Sequence, residues 1–259
     1  MELMENGEEW GITAEQLFLP AIRESERRET FEQLLAAAED AGIPVSYIKC
    51  GDEIRDSQLR LLCLHPEENT TLADANAYSE CFYVEVFAKK MKQEAIDDRK
   101  ANDASGASAI GKISILLTGD VEGEGEQQLT QKLQALQESQ SLQESQSLQE
   151  SRSLQESQSL QLTRRLQEQR GQRKFRVDIL KVAHHGSGYS TGTEFLATAS
   201  PATAIISCGR NNSYGHPHVE TLQRLEDARV PWYGTMDYGA LTVNVDSHGN
   251  RLRGYLRRK

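Results

Sequence analysis

The chain has 259 residues, 37% hydrophobic and 26% charged, enough to bury a sizeable core in one soluble α/β domain. Its 29 Lys and Arg stand against 39 Asp and Glu, and the resulting net charge of -10 opposes non-specific binding to nucleic acid. No run of about 18 apolar residues exists to span a membrane, and the residues after Met1 form no secretory signal. The four cysteines, Cys50, Cys63, Cys81 and Cys208, lack Cys-x-x-Cys spacing and read as core thiols of a reducing compartment rather than a disulfide framework.

In chain order, "ISILLTGD", Ile113 to Asp120, is an apolar strand that ends in Thr-Gly-Asp with the carboxylate just past its last apolar residue. Next comes "LQESQSLQESQSLQESRSLQESQS", Leu136 to Ser159, a six-residue unit repeated four times with one change at Arg152. Six residues advance a helix by about 600°, so successive leucines fall about 120° apart and make no apolar stripe. A packed helix is therefore not expected there. Leu, Gln and Glu still favour a solvated, fraying helix continuous with "GEGEQQLTQKLQA". The alternative is strand pairing, since a period of six puts every Leu on one strand face. The segment reads as a mobile surface insertion without a catalytic role, whose loss should cost little stability.

"VDILKVAHHGSGYSTGTEFL", Val177 to Leu196, opens as a buried strand and stops at two histidines and a glycine turn. Thr191 with Glu194 three residues on makes a capping-box pattern before Phe195 and Leu196, so His184 and His185 lie on a strand-to-helix connection. A third strand, "ATAIISCG", Ala202 to Gly209, runs into "RNNSYGHPH", with a further helix beginning near Pro217. Each strand thus delivers a metal-capable side chain beyond its end: Asp120, then His184 or His185, then His216. Imidazole and carboxylate are the ligand set for zinc or manganese in hydrolytic sites. The basic tail "RLRGYLRRK" reads as a solvated strand end.

"LLTGD", "DILKVAHHGS" and "AIISCGRNNSYGHPHVETLQRL" together resemble the metallo-β-lactamase-fold domain at the C-terminus of ComEC-type competence proteins. More weakly, "LFLPAIRESERRETFEQLLAAAEDAGIPVSYIKCGDEI" is similar to the helix and strand after that domain's first metal motif. "LRLLCLHPEENTTLADANAYSECFYVEV" is similar to the two strands before the Gly-Asp strand, and "YGTMDYGALTVNVDSHGNRLRGYL" to the closing strands. The resemblance implies an α/β (α+β) fold, a metallo-β-lactamase-like αββα sandwich truncated at its N-terminal side. Residues 1–125 and 176–259 would form that domain, with residues 126–175 as a helix and repeat insertion.

The resemblance also implies a chemistry. Asp120 would bridge two divalent metals, zinc or manganese, with His184 and His216 as terminal ligands; the sequence leaves open which of His184, His185 and His216 bind. Asp120 and His184 would be the catalytic pair, and His185, Ser187, Asn212 and His218 would orient a phosphate, helped by the helix N-terminus near Pro217. For Ser187 and Asn212 plain turn chemistry is the competing reading. The family's first motif, His-x-His-x-Asp-His, is absent; His216 and His218 in "GHPHVET" lack its final Asp-His. Met1 then looks like a late start in a longer domain, and the isolated chain should bind metal weakly until such a motif is added.

Two functions follow from the resemblance. One is a metal-dependent phosphodiesterase or nuclease-like hydrolase of DNA uptake, acting on the strand of incoming DNA that is not imported. The other is a non-catalytic remnant or subunit that keeps the fold. Implied partners are single-stranded DNA or another phosphodiester, and an upstream membrane-channel segment or separate chain. The chain would be soluble alone and membrane-associated within a full-length competence protein.

Overall fold

A computed structural model describes residues 14–72, 74–87, 112–154, 177–246 and 249–256. Strand β1 (Leu17–Pro20) pairs in parallel with β2 (Val45–Ile48) across helix α1 (Glu29–Asp40), as a two-stranded sheet separate from the main one. Among the described residues the main sheet has seven strands in sequence order: β3 (Glu53–Arg55), β4 (Leu59–His65), β5 (Cys81–Phe87), β6 (Lys112–Leu117), β7 (Ile179–Lys181), β8 (Thr203–Ile206) and β9 (Trp232–Gly234). Antiparallel pairing links β3 to β6, and parallel pairing links β6 to β9. A closing hairpin joins β10 (Leu241–Asp246) to β11 (Gly249–Gly254). The mixed α/β arrangement is compatible with an αββα sandwich.

Parallel neighbours need helical crossovers, because the chain must return to the same end of the sheet before each strand. Helix α2 (Gly123–Leu154) follows β6, α3 (Thr193–Ala199) joins β7 to β8, and α4 (Val219–Asp227) joins β8 to β9, which leads into the short α5 (Thr235–Tyr238). The C-terminal ends of β6, β7 and β8 therefore lie along one edge. Their register is pinned at both ends. Ser114 and Asp178 exchange hydrogen bonds where β6 and β7 begin, and the Thr118 hydroxyl donates to the Lys181 carbonyl at 2.6 Å where they finish.

Under the sheet, Leu116, Leu180, Phe195, Leu196, Ile206 and Leu225 share one apolar core with Leu129 and Leu133 of α2. Those two leucines are fully buried, and Leu136, the first leucine of the repeat, is packed against the same core. The Gln137 amide donates to the Thr198 carbonyl at 2.7 Å, which fastens the next residue to α3. So the start of the repeat is part of a packed helix, contrary to the expectation of a wholly unpacked insertion. The stripe of Leu129, Leu133 and Leu136 has spacings of four and three, which keep them on one helical face. Leu142, six residues on, is 63% exposed, as the repeat's angular advance requires. Residues 155–159 of the repeat, and 155–175 of the segment set apart in the sequence, lie outside the described residues.

Close packing fixes α2 at its other end. A Cβ on Gly125 would come within 2.3 Å of the Ala77 carbonyl oxygen, so only glycine admits this approach. The four cysteines are free; Cys63 and Cys81 are buried, and burial pushes the Cys63 thiol up to about 12. The strand-end reading of the tail holds through Gly254, the last residue of β11, with Tyr255 82% exposed.

Glu80, just before β5, gives the fold a pH dependence. Its Oε1 is buried without a hydrogen-bond partner among the described residues, and burial pushes its carboxyl up from 4.5 to about 7. Between those values the native state holds a proton that the unfolded chain has released, so stability falls as pH rises from about 4.5 to about 7 and then levels off. Glu80→Gln should flatten that decline. Urea unfolding of both proteins at pH 5 and pH 8 checks it: an unchanged pH dependence in the variant would assign the decline to another group.

Candidate metal centre

The edge formed by β6, β7 and β8 gathers four of the chain's six histidines beside Asp120. His184 and His185 sit in the Ala183–Gly186 turn after β7, both in left-handed backbone conformation, with φ of 45° and 56°. Two successive non-glycine residues in that region carry strain, each of order 1–3 kcal/mol, which persists only where the surroundings hold it. Here the His184 N–H donates to the Gly119 carbonyl at 3.1 Å, tying the two turns together. Gly186 follows with φ of 86°, and a Cβ there would meet Pro217 Cβ at 2.7 Å, so the His216 loop closes directly onto the His184 turn.

Each ring nitrogen has a distinct state. His184 Nδ1 lies 2.9 Å from Glu122 Oε2, and His185 Nδ1 lies 2.5 Å from the Ser207 carbonyl oxygen. Both acceptors lack hydrogens, so both Nδ1 atoms carry a proton, and the nitrogen each ring can offer to a metal is Nε2. His185 Nε2 is 3.8 Å from Asp120 Oδ1, too long for a hydrogen bond. Two ligands each about 2.0–2.2 Å from zinc lie at most about 4.4 Å apart, so a cation fits between this pair. The His216 ring has no hydrogen-bond partner among the described residues and stands 5.5 Å from His184 and 6.4 Å from His185, centroid to centroid. Burial, and then the neighbouring His218, His184 and His185, lower the His216 pKa and favour the neutral, ligating form.

The donor chemistry thus suits zinc or manganese. Among the described residues, however, no group of three or more His, Cys, Asp or Glu is placed to hold a metal ion as it stands. Asp120, His184, His185 and His216 come together; the other candidates do different work. Ser187 is buried, and its hydroxyl accepts the Tyr189 N–H at 3.3 Å within its own turn. Asn212 spends its amide inside the 209–216 loop, donating to the Gly209 and His216 carbonyls and accepting the His216 N–H. His218 accepts the Gly188 N–H on Nδ1 at 2.9 Å and donates from Nε2 to the Tyr214 carbonyl at 3.1 Å. These three side chains shape the loops, and no ring nitrogen of His218 is left for a phosphate.

The supporting residues were missed in the sequence. Glu122 holds His184 and is itself held by Asn76, whose amide donates to Oε1 at 3.0 Å. A carboxylate behind a ligating histidine fixes its tautomer and orientation, and its loss costs about 10–100-fold in metal affinity. If the cluster holds zinc, as the resemblance implies, Glu122→Ala should weaken that binding by this order, as titration calorimetry would measure; unchanged affinity would make the contact incidental. The Glu two residues after Asp120 was the available signal. Lys181 also faces the site, its ammonium donating to the Gly119 carbonyl at 3.1 Å and lying 4.0 Å from Asp120 Oδ1.

The loop after the histidines is held from two helices. The capping box expected of Thr191 and Glu194 does not form: Thr191 is buried with its hydroxyl accepting the Ala183 N–H, and Glu194 is exposed. Glu126 of α2 replaces it, accepting the N–H groups of Thr191 and Gly192 ahead of α3. Arg224 of α4 donates to the Gly188, Ser190 and Thr191 carbonyls, and the Thr221 hydroxyl donates to Ser187 O. The helix expected near Pro217 starts at Val219.

Fold and site together define an α/β domain with an imidazole and carboxylate cluster at the C-terminal edge of parallel strands. Its homologues are ComEC-type competence proteins. The chain is 28% identical over 212 residues to ComE operon protein 3 of Bacillus subtilis, a match covering 80% of this chain and 19% of that protein. It is 28% identical over 134 residues to Recombination protein 2 of Haemophilus influenzae, covering 52% of this chain and 12% of the relative. Competence protein ComA of Neisseria gonorrhoeae matches at 25% over 166 residues, 61% of this chain and 18% of the relative. The chain spans less than a fifth of the length of these relatives. No protein-family model matches it. Among the described residues no helix is long and apolar enough to cross a membrane.

Proposed function

We propose that this chain is a metal-dependent hydrolase domain of the phosphodiesterase or nuclease kind that serves DNA uptake, with a metallo-β-lactamase-type site. The observation that carries the reading is the pair of histidines held through Nδ1, with His185 Nε2 left bare beside Asp120. The names of the relatives support the competence part. Zinc or manganese, held by Asp120, His184, His185 and His216, would supply Lewis-acid polarisation of a phosphoryl oxygen. Glu122 keeps the proton on His184 Nδ1, and the Ser207 carbonyl does the same for His185. The Lys181 ammonium adds positive charge beside the position of a phosphodiester. DNA and an adjoining membrane-channel segment are the partners this reading entails.

A second reading, a non-catalytic subunit that retains the fold, is favoured by one observation: the donors do not yet stand as a metal-holding group. Hydrolysis of bis(p-nitrophenyl) phosphate with manganese or zinc, against the same protein in EDTA, separates the two. Weak but metal-dependent turnover that requires Asp120 is expected. No metal binding by calorimetry, with turnover no greater than in EDTA, would leave the non-catalytic reading.

A further inference from the structure

Two tyrosines flank the histidine cluster with their rings in solvent. Tyr189, on the loop after His185, is 86% exposed, and Tyr214, on the loop before His216, is 77% exposed. Aromatic surface is costly to leave in water, and these rings stand on loops whose backbones are fixed. Arg224 and Thr221 hold the first loop through four carbonyls, and Asn212 closes the second. His218 joins them, one nitrogen on Gly188 and the other on Tyr214. The Tyr214 ring lies 5.8 Å from that of His216 at an interplanar angle of 22°, so it continues the face of a candidate ligand outward from the site. Arg210, exposed on the same loop, binds the Met236 carbonyl through Nε and has no carboxylate partner among the described residues.

We propose that Tyr189 and Tyr214 form a base-stacking platform for single-stranded nucleic acid on the rim of the histidine cluster, with His218 as the strut that fixes it. The proposal rests on the phosphodiester reading of the cluster for its orientation. A base stacked on the Tyr214 ring would lie next to the His216 imidazole. A chain of net charge -10 gains little from the phosphate backbone, so affinity has to come from the faces of the bases. Paired bases in a duplex hide those faces.

The test is fluorescence anisotropy with the full chain in EDTA, which prevents cleavage. The probes are a labelled oligothymidylate of about ten nucleotides, the abasic oligomer of equal length, and the corresponding duplex. Oligothymidylate should bind about tenfold or more tighter than either other probe, with a shallow salt slope near about -1. Tyr189→Ala and Tyr214→Ala should each lose about fivefold or more, and Tyr189→Phe and Tyr214→Phe should keep the affinity because they keep the ring. Equal binding of the abasic oligomer, equal binding of the duplex, or alanine variants that bind normally with unchanged circular dichroism would each overturn the platform. Manganese-dependent turnover of bis(p-nitrophenyl) phosphate, which has no base to stack, reads the hydrolase proposal separately: turnover without base preference sinks only the platform, and base preference without turnover sinks only the chemistry.

Discussion

On the proposed hydrolase reading, Asp120→Ala should remove metal-dependent phosphodiester turnover and leave the fold in place. The residue follows β6 in an open turn, with its side chain 40% exposed, so truncation opens no core cavity and stability should change by less than about 0.5 kcal/mol. The turn itself is kept by backbone contacts, His184 N–H to Gly119 O and Asp120 N–H to the Ser79 hydroxyl. What disappears is the carboxylate that faces His185 Nε2 across 3.8 Å. Losing a residue behind a ligand costs about 10–100-fold, and losing Asp120 as the proposed shared ligand should exceed that. Steady-state rates with manganese, paired with thermal melts, make the measurement. A variant as active as the parent would make Asp120 a turn residue and the cluster a structural one.

Leu133→Ala and Leu142→Ala should separate by several kcal/mol though both change the same residue on the same helix. Leu133 is fully buried between α2 and the sheet, where truncation costs about 2–5 kcal/mol from lost transfer energy and the cavity left behind. Leu142 is 63% exposed, and its truncation should stay within about 0.5 kcal/mol. Urea unfolding of the two variants gives the comparison. Equal destabilisation would mean that the repeat's leucines are covered along the whole helix.

Much of the candidate site was legible because Asp120, His184 and His185 follow an apolar strand within a few residues, and His216 lies on the loop after the next strand. Asp120, His184, His185 and His216 are placed by strand ends, and parallel pairing of β6, β7 and β8 aligns those ends. Residues that work through long-range contacts left a weaker trace. Glu122 and Asn76 are 46 positions apart, and Glu126 reaches Thr191 across 65, so no local pattern reveals either link. Ser187, Asn212 and His218 belong to the right loops, but their polar atoms close those loops.

By itself the sequence determined the strand ends, the metal-capable side chains they carry, and the failure of a six-residue period to form an apolar stripe. These are local consequences of side-chain type and of the fixed angles of helix and strand. Only the tertiary structure decided where α2 leaves the core, because Leu136 lies one turn beyond Leu133 and still packs against the core, whereas Leu142 is rotated off that face. It likewise decided which imidazole nitrogens stay free, since for His184 and His185 each is set by an acceptor contributed from elsewhere in the chain, Glu122 for His184 and Ser207 for His185.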